Sequence, residues 1–160
     1  MKEIQLNTEV ATSPYYKKYK ALVDDEDFER VNAHKWCVRV NKRNLYATTS
    51  IRGKIITMHH FLLGRKMTDH KDNNGLNNQK SNLRQVTTQQ NAMNARKRIG
   101  ASSKYKGVSW NRNCKKWTSQ IRVEKRKIHL GYFENEVDGA KAYNKQAKKH
   151  FGKFANLNII

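Results

Sequence analysis

The C-terminal third of the chain carries a clear alternation of apolar and polar residues. In KWTSQIRV (116–123) every second side chain is apolar or small, and KIHLGYF (127–133) continues the pattern. A period of two is typical of half-buried strands, and KYKGVSW (104–110) predicts a third strand. Asn135, followed three residues later by Asp138, predicts the N-cap of the helix VDGAKAYNKQAKKHF. We therefore expect a three-stranded antiparallel sheet covered on one face by a helix, with its other face open and polar.

The first half of the chain predicts short strands and a long polar segment. WCVRV (36–40) and NLYATTSI (44–51) flank the turn NKRN, which is a hairpin signal. The run IITMHHFLLG (55–64) fits a strand followed by a short helix, and residues 68–94 are rich in asparagine. At ARKRIGASSK (95–104) the chain becomes basic and small, which suits a flexible linker. The predicted fold class is α+β.

Charge narrows the class of partner. With 33 Lys and Arg against 13 Asp and Glu, the formal net charge is +20. Residues 1–100 hold 19 basic and 9 acidic residues and residues 101–160 hold 14 and 4, so each part carries +10. So many positive charges repel one another in a compact chain, and an excess of this size is typical of proteins that bind nucleic acid. The open sheet face could contact phosphates or base edges, although a solvated polar face is also common.

Membrane insertion and secretion are not expected. No stretch reaches the roughly 20 apolar residues of a membrane span. The N-terminus, MKEIQLNTEV, lacks the apolar run of a signal peptide, so a cytoplasmic location is expected. Cys37 and Cys114 are isolated and form no metal or disulfide pattern.

The C-terminal segment resembles a known DNA-binding family. YKGVSWNRNCKKWTSQIRV and KIHLGYFENEVDGAKAYNKQAKKHFGKFANLN share with the AP2 domain its YxGV start, KW pair, LGxF, alanine-containing helix and final AxLN. The resemblance implies a three-stranded sheet that docks in the major groove of double-stranded DNA. Ser109 replaces a usual arginine and His129 a usual tryptophan, so the target sequence of the plant family cannot be transferred. The positions expected to contact DNA are Lys106, Ser109, Lys116, Arg122, Lys127 and His129.

The segment TDHKDNNGLNNQKSNLRQVTTQQN (68–91) holds the residues with catalytic chemistry. Hydrolysis of a phosphodiester requires a base for water and a cation for the developing charge. His70 suits the base, because imidazole has an ordinary pKa of roughly 6.5. Asp69 and asparagine side chains offer hard oxygen ligands for Mg²⁺ or Mn²⁺. Asparagines around Gly75 also suit turns, and the Asp–His pair taken alone is explained as well by a structural histidine.

Residues 55–95 as a whole resemble the HNH motif of phage and intron homing endonucleases. MHHFLLG and DHKDNNGLNNQKSNLRQVTTQQNAMN follow the subgroup pattern LHRL…DHxxGNxxDNRxxNLRxxTxxxN. The resemblance implies that His70 is the general base and that Asn82 positions it. It also implies that Asp69 and Asn91 bind one divalent ion, Mg²⁺ or Mn²⁺.

At other positions the sequence departs from this motif or leaves the role of a residue open. His59 takes the place of the histidine in LHRL, where it would serve as structural support or as a metal ligand, and His60 replaces the usual arginine. Asn77 and Gln79 replace the Asp and Arg of DNR, which could loosen the loop. We also expect Arg84 to contact a phosphate.

The two resemblances divide the chain and imply a function. They imply an HNH nuclease region of small strands at 1–97 with a ββα-metal core motif at 55–95, a linker at 98–104, and an AP2-like DNA-binding domain at 105–160. The expected function is a metal-dependent, homing-type DNA endonuclease that nicks one strand, acts on double-stranded DNA and works as a monomer. The alternatives are a non-catalytic AP2-type DNA-binding or regulatory protein derived from a nuclease, and an RNA-binding or ribosome-associated basic protein. The residues that argue against both alternatives are Asp69, His70, Asn82 and Asn91.

Overall fold

The chain forms two compact units, Met1–Thr87 and Thr88–Ile160. Both combine short antiparallel strands with few helices, which is compatible with the expected α+β class. No helix in the part of the chain that the structure covers is long and apolar enough to cross a membrane. Residues 42–43 of the NKRN turn and residues 98–99 of the expected linker lie outside the described residues. The expected limits of the nuclease region, the linker and the AP2-like domain stay predictions. The computed structural model describes residues 1–7, 19–41, 44–64, 67–97 and 100–160.

The described residues of the first unit form three small antiparallel sheets, of order β1-β2, β3-β4-β5 and β6-β7. The expected hairpin is confirmed, since β3 pairs with β4 from Cys37 opposite Thr48 to Asn41 opposite Asn44. The expected strand followed by a helix is confirmed as β5 and α2. The elements are β1 (Lys2–Leu6), β2 (Tyr19–Val23), a 3-10 turn (Asp25–Asp27), α1 (Phe28–Asn32), β3 (Cys37–Asn41), β4 (Asn44–Ile51), β5 (Lys54–Thr57), α2 (Met58–Leu63), β6 (Thr68–His70) and β7 (Leu83–Gln85).

One apolar core joins these small sheets. Trp36 is the largest of its fully buried side chains with 1% of its surface exposed, and its indole Nε1 donates to the carbonyl of Val31 at 2.8 Å. Because strands this short cannot bury a face alone, the sheets are stable only by sharing side chains. The buried members of the core are Ile4, Leu6, Ala21, Val23, Val31, Trp36, Ala47, Met58, Leu62, Leu76 and Leu83.

The asparagine-rich segment forms an ordered loop between β6 and β7. The side chain of Asp72 accepts from the backbone N–H of Asn74 at 2.8 Å, and that of Asn74 accepts from Leu76 at 3.1 Å. These are the local side-chain bonds for which turns select Asn and Asp. The loop docks on β2, because Leu22 donates to the carbonyl of Leu76 and accepts from the N–H of Asn78, both at 2.8 Å.

Gly75 lets this loop approach strand β4. A β-carbon at this position would collide with the carbonyl oxygen of Leu45 and would lie 2.7 Å from ring atoms of Tyr46. Real β-carbons essentially never come so close, and here the obstacle includes backbone. Gly75 is therefore required by close packing rather than by an unusual backbone angle.

The second unit is built around a three-stranded antiparallel sheet of order β10-β9-β8, with α4 packed on it. The expected N-cap is confirmed, since the Asn135 side chain accepts from the N–H of Asp138 at 2.9 Å. A register shift between His129 and Gly131 interrupts the alternation in β10. The elements are α3 (Thr88–Asn94), β8 (Val108–Asn111), β9 (Lys116–Val123), β10 (Arg126–Phe133), α4 (Glu136–Phe151) and a 3-10 turn (Gly152–Phe154).

The packing of Gly75 predicts a destabilised variant. Gly75→Ala should lower the free energy of unfolding of the first unit by about 1–3 kcal/mol, the usual cost of forcing an extra carbon into a packed site. The comparison is Gly53→Asn, because no atom lies within 4 Å of its β-carbon position, so any loss there comes from the positive φ of 73° and not from packing. Hydrogen exchange of peptides from β4 and β7 measures both changes. Equal protection in Gly75→Ala and wild type would show that the loop does not pack on Tyr46.

Candidate active site

Asp69 and His70 lie next to each other on β6, which pairs with β7. Asp69 is opposite Arg84 and His70 is opposite Leu83. Neighbouring residues of a strand project to opposite faces, so the carboxylate and the imidazole enter different surroundings. Both are buried, with 7% and 6% of their surface exposed.

The carboxylate of Asp69 is paired with the guanidinium of Arg84. Both Nη2 and Nε of Arg84 donate to Oδ2 of Asp69, at 2.7 Å and 3.0 Å. The Arg84 side chain is 13% exposed. Its guanidinium is therefore committed to a buried ion pair, whereas the sequence had suggested a phosphate contact; the two buried charges compensate each other.

His70 is surrounded by polar and aromatic side chains. Its Nε2 lies 3.4 Å from Oδ1 of Asn78, which is itself only 1% exposed. The ring lies edge-on to His59 at 5.1 Å between centroids and is tilted against Tyr46 at 6.0 Å. The tautomer with its proton on Nε2 pairs with the Asn78 oxygen and has its lone pair on Nδ1.

The environment favours the neutral form of His70. Burial lowers the pKa of His70 below its ordinary value. The hydrogen bond to Asn78 and the charges of Asp72 and Asp69 oppose this shift without cancelling it. A neutral imidazole at neutral pH can accept a proton, which is the property that a general base requires.

His59 is also buried and neutral. Burial lowers the pKa of His59 to about 3, and the neighbouring His70 and His60 rings add to the shift. Its Nε2 lies 3.1 Å from the Thr57 hydroxyl, and its ring is 5.8 Å from that of Tyr46. These contacts suit structural support, and a neutral imidazole is also the form that ligates metals.

Asn82 contacts the loop rather than the imidazole. Its Oδ1 accepts from the N–H of Asp72 at 3.1 Å, and its Nδ2 donates to Oδ1 of Asp72 at 3.0 Å and to the carbonyl of Asn77 at 2.8 Å. Burial opposes ionisation of Asp72, but hydrogen bonds from Asn74, Asn77 and Asn82 lower the pKa of Asp72. Asn82 can therefore act on His70 through the shape of the loop, whereas Asn78 lies within hydrogen-bonding distance of the imidazole.

An open cavity of about 490 Å³ lies beside the histidines. His59, His60 and Tyr46 line it together with the hydroxyls of Thr57 and Thr68. Such a recess can admit an anionic group to the edges of His59 and His60, whereas His70 and Asp69 do not line it. The Tyr46 position carried no signal in the sequence, because a tyrosine in a strand usually reports only a half-buried face.

Each of the two expected metal ligands carries an oxygen donor that suits a hard cation. Asp69 offers carboxylate oxygen, and both Arg84 contacts go to its Oδ2. Asn91 offers amide oxygen from α3 in the second unit, where its side chain is exposed. Among the residues with described positions, no three His, Cys, Asp or Glu side chains cluster as a metal cage. Mg²⁺ is usually held by one or two carboxylates with substrate phosphate and waters rather than by such a cage.

The second unit brings most of the expected DNA contacts to one face. Residues opposite each other in an antiparallel pair share a face, and Arg122 pairs with Lys127, Gln120 with His129 and Thr118 with Ser109. His129 also packs against Tyr132 at 4.7 Å between ring centroids. We call this the outward sheet face and define it by Ser109, Lys116, Thr118, Gln120, Arg122, Lys127, His129 and Tyr132.

Two of the expected contacts have other partners in the structure. Lys116 pairs with Glu134 at 2.8 Å, although both side chains remain accessible. Lys106 is only partly exposed, and its ammonium donates to the carbonyl of Met93 at 2.7 Å. Burial lowers the pKa of Lys106 to about 8. Its ammonium is thus directed at α3.

Comparison with known proteins supplies one relative. No protein-family model matches the chain, and no solved structure matches it. A protein of Acanthamoeba polyphaga mimivirus, described as an uncharacterized HNH endonuclease, is 38% identical over 94 residues. The match covers 58% of this chain and 46% of the relative, so the chain spans less than half of that protein. The AP2 resemblance stays a prediction.

The buried histidines predict acid sensitivity of the first unit. The pKa of His59 is about 3 in the folded state against roughly 6.5 unfolded, so the unfolded chain binds more protons between these values. Stability should therefore fall as pH falls from about 6.5, by up to about 1.4 kcal/mol per pH unit for one histidine. Replacing His59 with Gln should reduce this slope, whereas His150→Gln at an exposed site should not. Hydrogen exchange of β4 peptides at pH 5, 6 and 7 measures the slope; equal slopes in His59→Gln and wild type would contradict a buried neutral His59.

Proposed function

We propose that this chain is an HNH-type endonuclease that hydrolyses phosphodiester bonds of double-stranded DNA. The observation that carries the proposal is the buried imidazole of His70, kept neutral beside Asp69 on the β6–β7 hairpin. The description of the mimivirus relative as an HNH endonuclease supports the same reaction class. The basic outward sheet face supports DNA as the polyanion.

His70 would act as the general base. With its Nε2 proton donated to Asn78, the lone pair on Nδ1 takes a proton from water. The hydroxide attacks phosphorus in line, the P–O3′ bond breaks with its electrons on the 3′ oxygen, and that oxygen takes a proton from a water molecule. The products are a 5′-phosphate end and a 3′-hydroxyl end.

Asp69 and Asn91 would hold one Mg²⁺ or Mn²⁺ ion. The ion, when bound, supplies Lewis-acid stabilisation of the phosphate charge and of the departing oxygen. Arg84 holds the carboxylate of Asp69 in place through two hydrogen bonds. Asn82 and Asp72 hold the loop that carries Asn78, and Asn78 in turn orients His70.

A site with one general base and one metal ion can hydrolyse only one DNA strand at a time. We therefore propose that a monomer nicks its target, and that the homing role of the similar motif applies, in which an allele lacking the gene is cut. The non-catalytic alternative would use the same outward sheet face for binding without any cleavage.

The base assignment predicts the behaviour of a single variant. His70→Ala should slow cleavage by about 10²–10⁴-fold, the usual contribution of a general base, while DNA affinity changes little. His150→Ala is the control, because His150 is exposed on α4 in the second unit. Supercoiled plasmid with Mg²⁺ should yield nicked circles before linear product, and gel densitometry measures the rate. Wild-type rates in His70→Ala would remove this mechanism, and binding without any cutting by the wild type would establish the non-catalytic alternative.

The same assay predicts a pH profile. Only neutral imidazole accepts a proton, and burial lowers the pKa of His70. Cleavage should therefore be on its plateau at neutral pH and should fall only below roughly 6.5, the ordinary histidine value.

The metal assignment predicts two further variants. Asp69→Asn preserves the side-chain shape and an oxygen acceptor for Arg84, but it removes the charge that would bind the metal ion and that also compensates the Arg84 guanidinium. Asp69→Asn and Asn91→Ala should each lower cleavage by about 10–100-fold or more, since even groups that only support metal ligands have effects of this size. Both should require more Mg²⁺, and EDTA should stop the wild type. The control is Gln89→Ala, an exposed neighbour on α3; full activity in EDTA would contradict the site.

A further inference from the structure

Helix α3 ends against side chains of the second unit. The last carbonyls of any helix lack partners within the helix. Here Lys106 Nζ donates to the carbonyl of Met93 at 2.7 Å, and Asn156 Nδ2 donates to that of Asn94 at 3.0 Å. Both donors come from outside the helix, so its C-terminal end is held by the body of the unit.

Lys106 is itself fixed in place. Its N–H donates to Oδ1 of Asn158 at 2.7 Å, and its carbonyl accepts from Nδ2 of the same residue at 3.1 Å. The ammonium lies 6.0 Å from the ring centroid of Tyr143, a residue of α4 that is 3% exposed. Burial of this ammonium is unfavourable, so the charge is kept there by specific partners.

The apolar contact of α3 is also made with this unit. Met93 packs against the cluster of Ile121, Tyr143, Ala147 and Phe151. A helix of seven residues is too short to be stable alone in water. Met93 and the two hydrogen bonds to its end are therefore among the contacts that fix its position.

We propose that Lys106 is a positioning residue that holds α3, and with it Asn91, on the sheet-and-helix body of the second unit. This role differs from the phosphate contact that the AP2 resemblance implies for the same position. The significance for catalysis rests on the proposed function, in which Asn91 binds the ion. The unit that presents the outward sheet face would then also hold the helix that carries one metal ligand.

Replacing Lys106 with Met tests the proposal, because the stem remains and the ammonium is lost. Lys127→Met is the matched comparison, since Lys127 is exposed on the outward sheet face. Lys106→Arg restores a cationic donor, and Asn156→Ala removes the amide bonds to the carbonyls of Asn94 and Ala95 without touching a cation. Three quantities are measured on the full chain: hydrogen exchange of residues 88–97, the salt dependence of DNA binding by anisotropy, and the Mg²⁺ concentration for half-maximal nicking.

A positioning role and a phosphate contact give opposite patterns. If Lys106 positions α3, the Lys106→Met variant should show faster hydrogen exchange at residues 88–97 and should need more Mg²⁺ for half-maximal nicking. Its DNA binding should keep the salt dependence of the wild type. Lys106→Arg should recover part of the protection from exchange. Lys127→Met should instead lower the salt slope by roughly 0.9 with unchanged exchange. Unchanged exchange with a reduced slope in Lys106→Met would overturn the proposal.

Two controls keep these outcomes interpretable. Protection across α4 in each variant shows that the second unit is folded, and faster exchange at 88–97 in Asn156→Ala supports the proposal independently of Lys106. If the wild type does not cut DNA, the proposed function fails, and exchange and salt slope still decide the position of Lys106. Wild-type exchange in both Lys106→Met and Asn156→Ala would also overturn it.

Discussion

The candidate active site depends on the docking of the asparagine-rich loop against β2 and β4. Leu22 bonds the loop backbone on both sides, and Gly75 allows it to reach Tyr46 without a collision. Because β6 and β7 have three residues each, their pairing alone could not hold a catalytic geometry. The loop supplies what the short strands lack, since Asn78 comes from it and contacts His70.

Burial then determines the charge states around the hairpin. The imidazoles of His59 and His70 lie edge-on to each other and lose their water, which makes the neutral form the stable one. The carboxylate of Asp69 is paired with a guanidinium because Arg84 is its cross-strand partner. A neutral base and a compensated carboxylate thus sit on adjacent residues of one strand. In the proposed function, the imidazole would activate water and the carboxylate would be one ligand of the metal ion.

The basic residues of the chain do not all serve the same purpose. Arg122 and Lys127 are exposed neighbours on the outward sheet face, where a phosphate backbone can reach both. Arg84 and Lys106 are directed into the protein, one towards a carboxylate and one towards the end of a helix. The net charge of the chain indicates the class of partner, but burial determines which basic side chains can contact that partner.

The sequence by itself determined the features that local chemistry controls. Alternation placed Ser119 and Ile121 inside, and Asn135 at the start of α4 followed from the preference of helix ends for side-chain acceptors. The asparagines of the loop followed from turn chemistry in the same way. Only the tertiary structure decided the partners of Asp69, His70 and Lys106, because these come from register and from segments distant in the chain. No local sequence pattern predicts that Arg84 pairs with Asp69 or that Asn78, and not Asn82, contacts the imidazole of His70. The hydrogen bond from the Lys106 ammonium to the carbonyl of Met93 is equally invisible in the sequence.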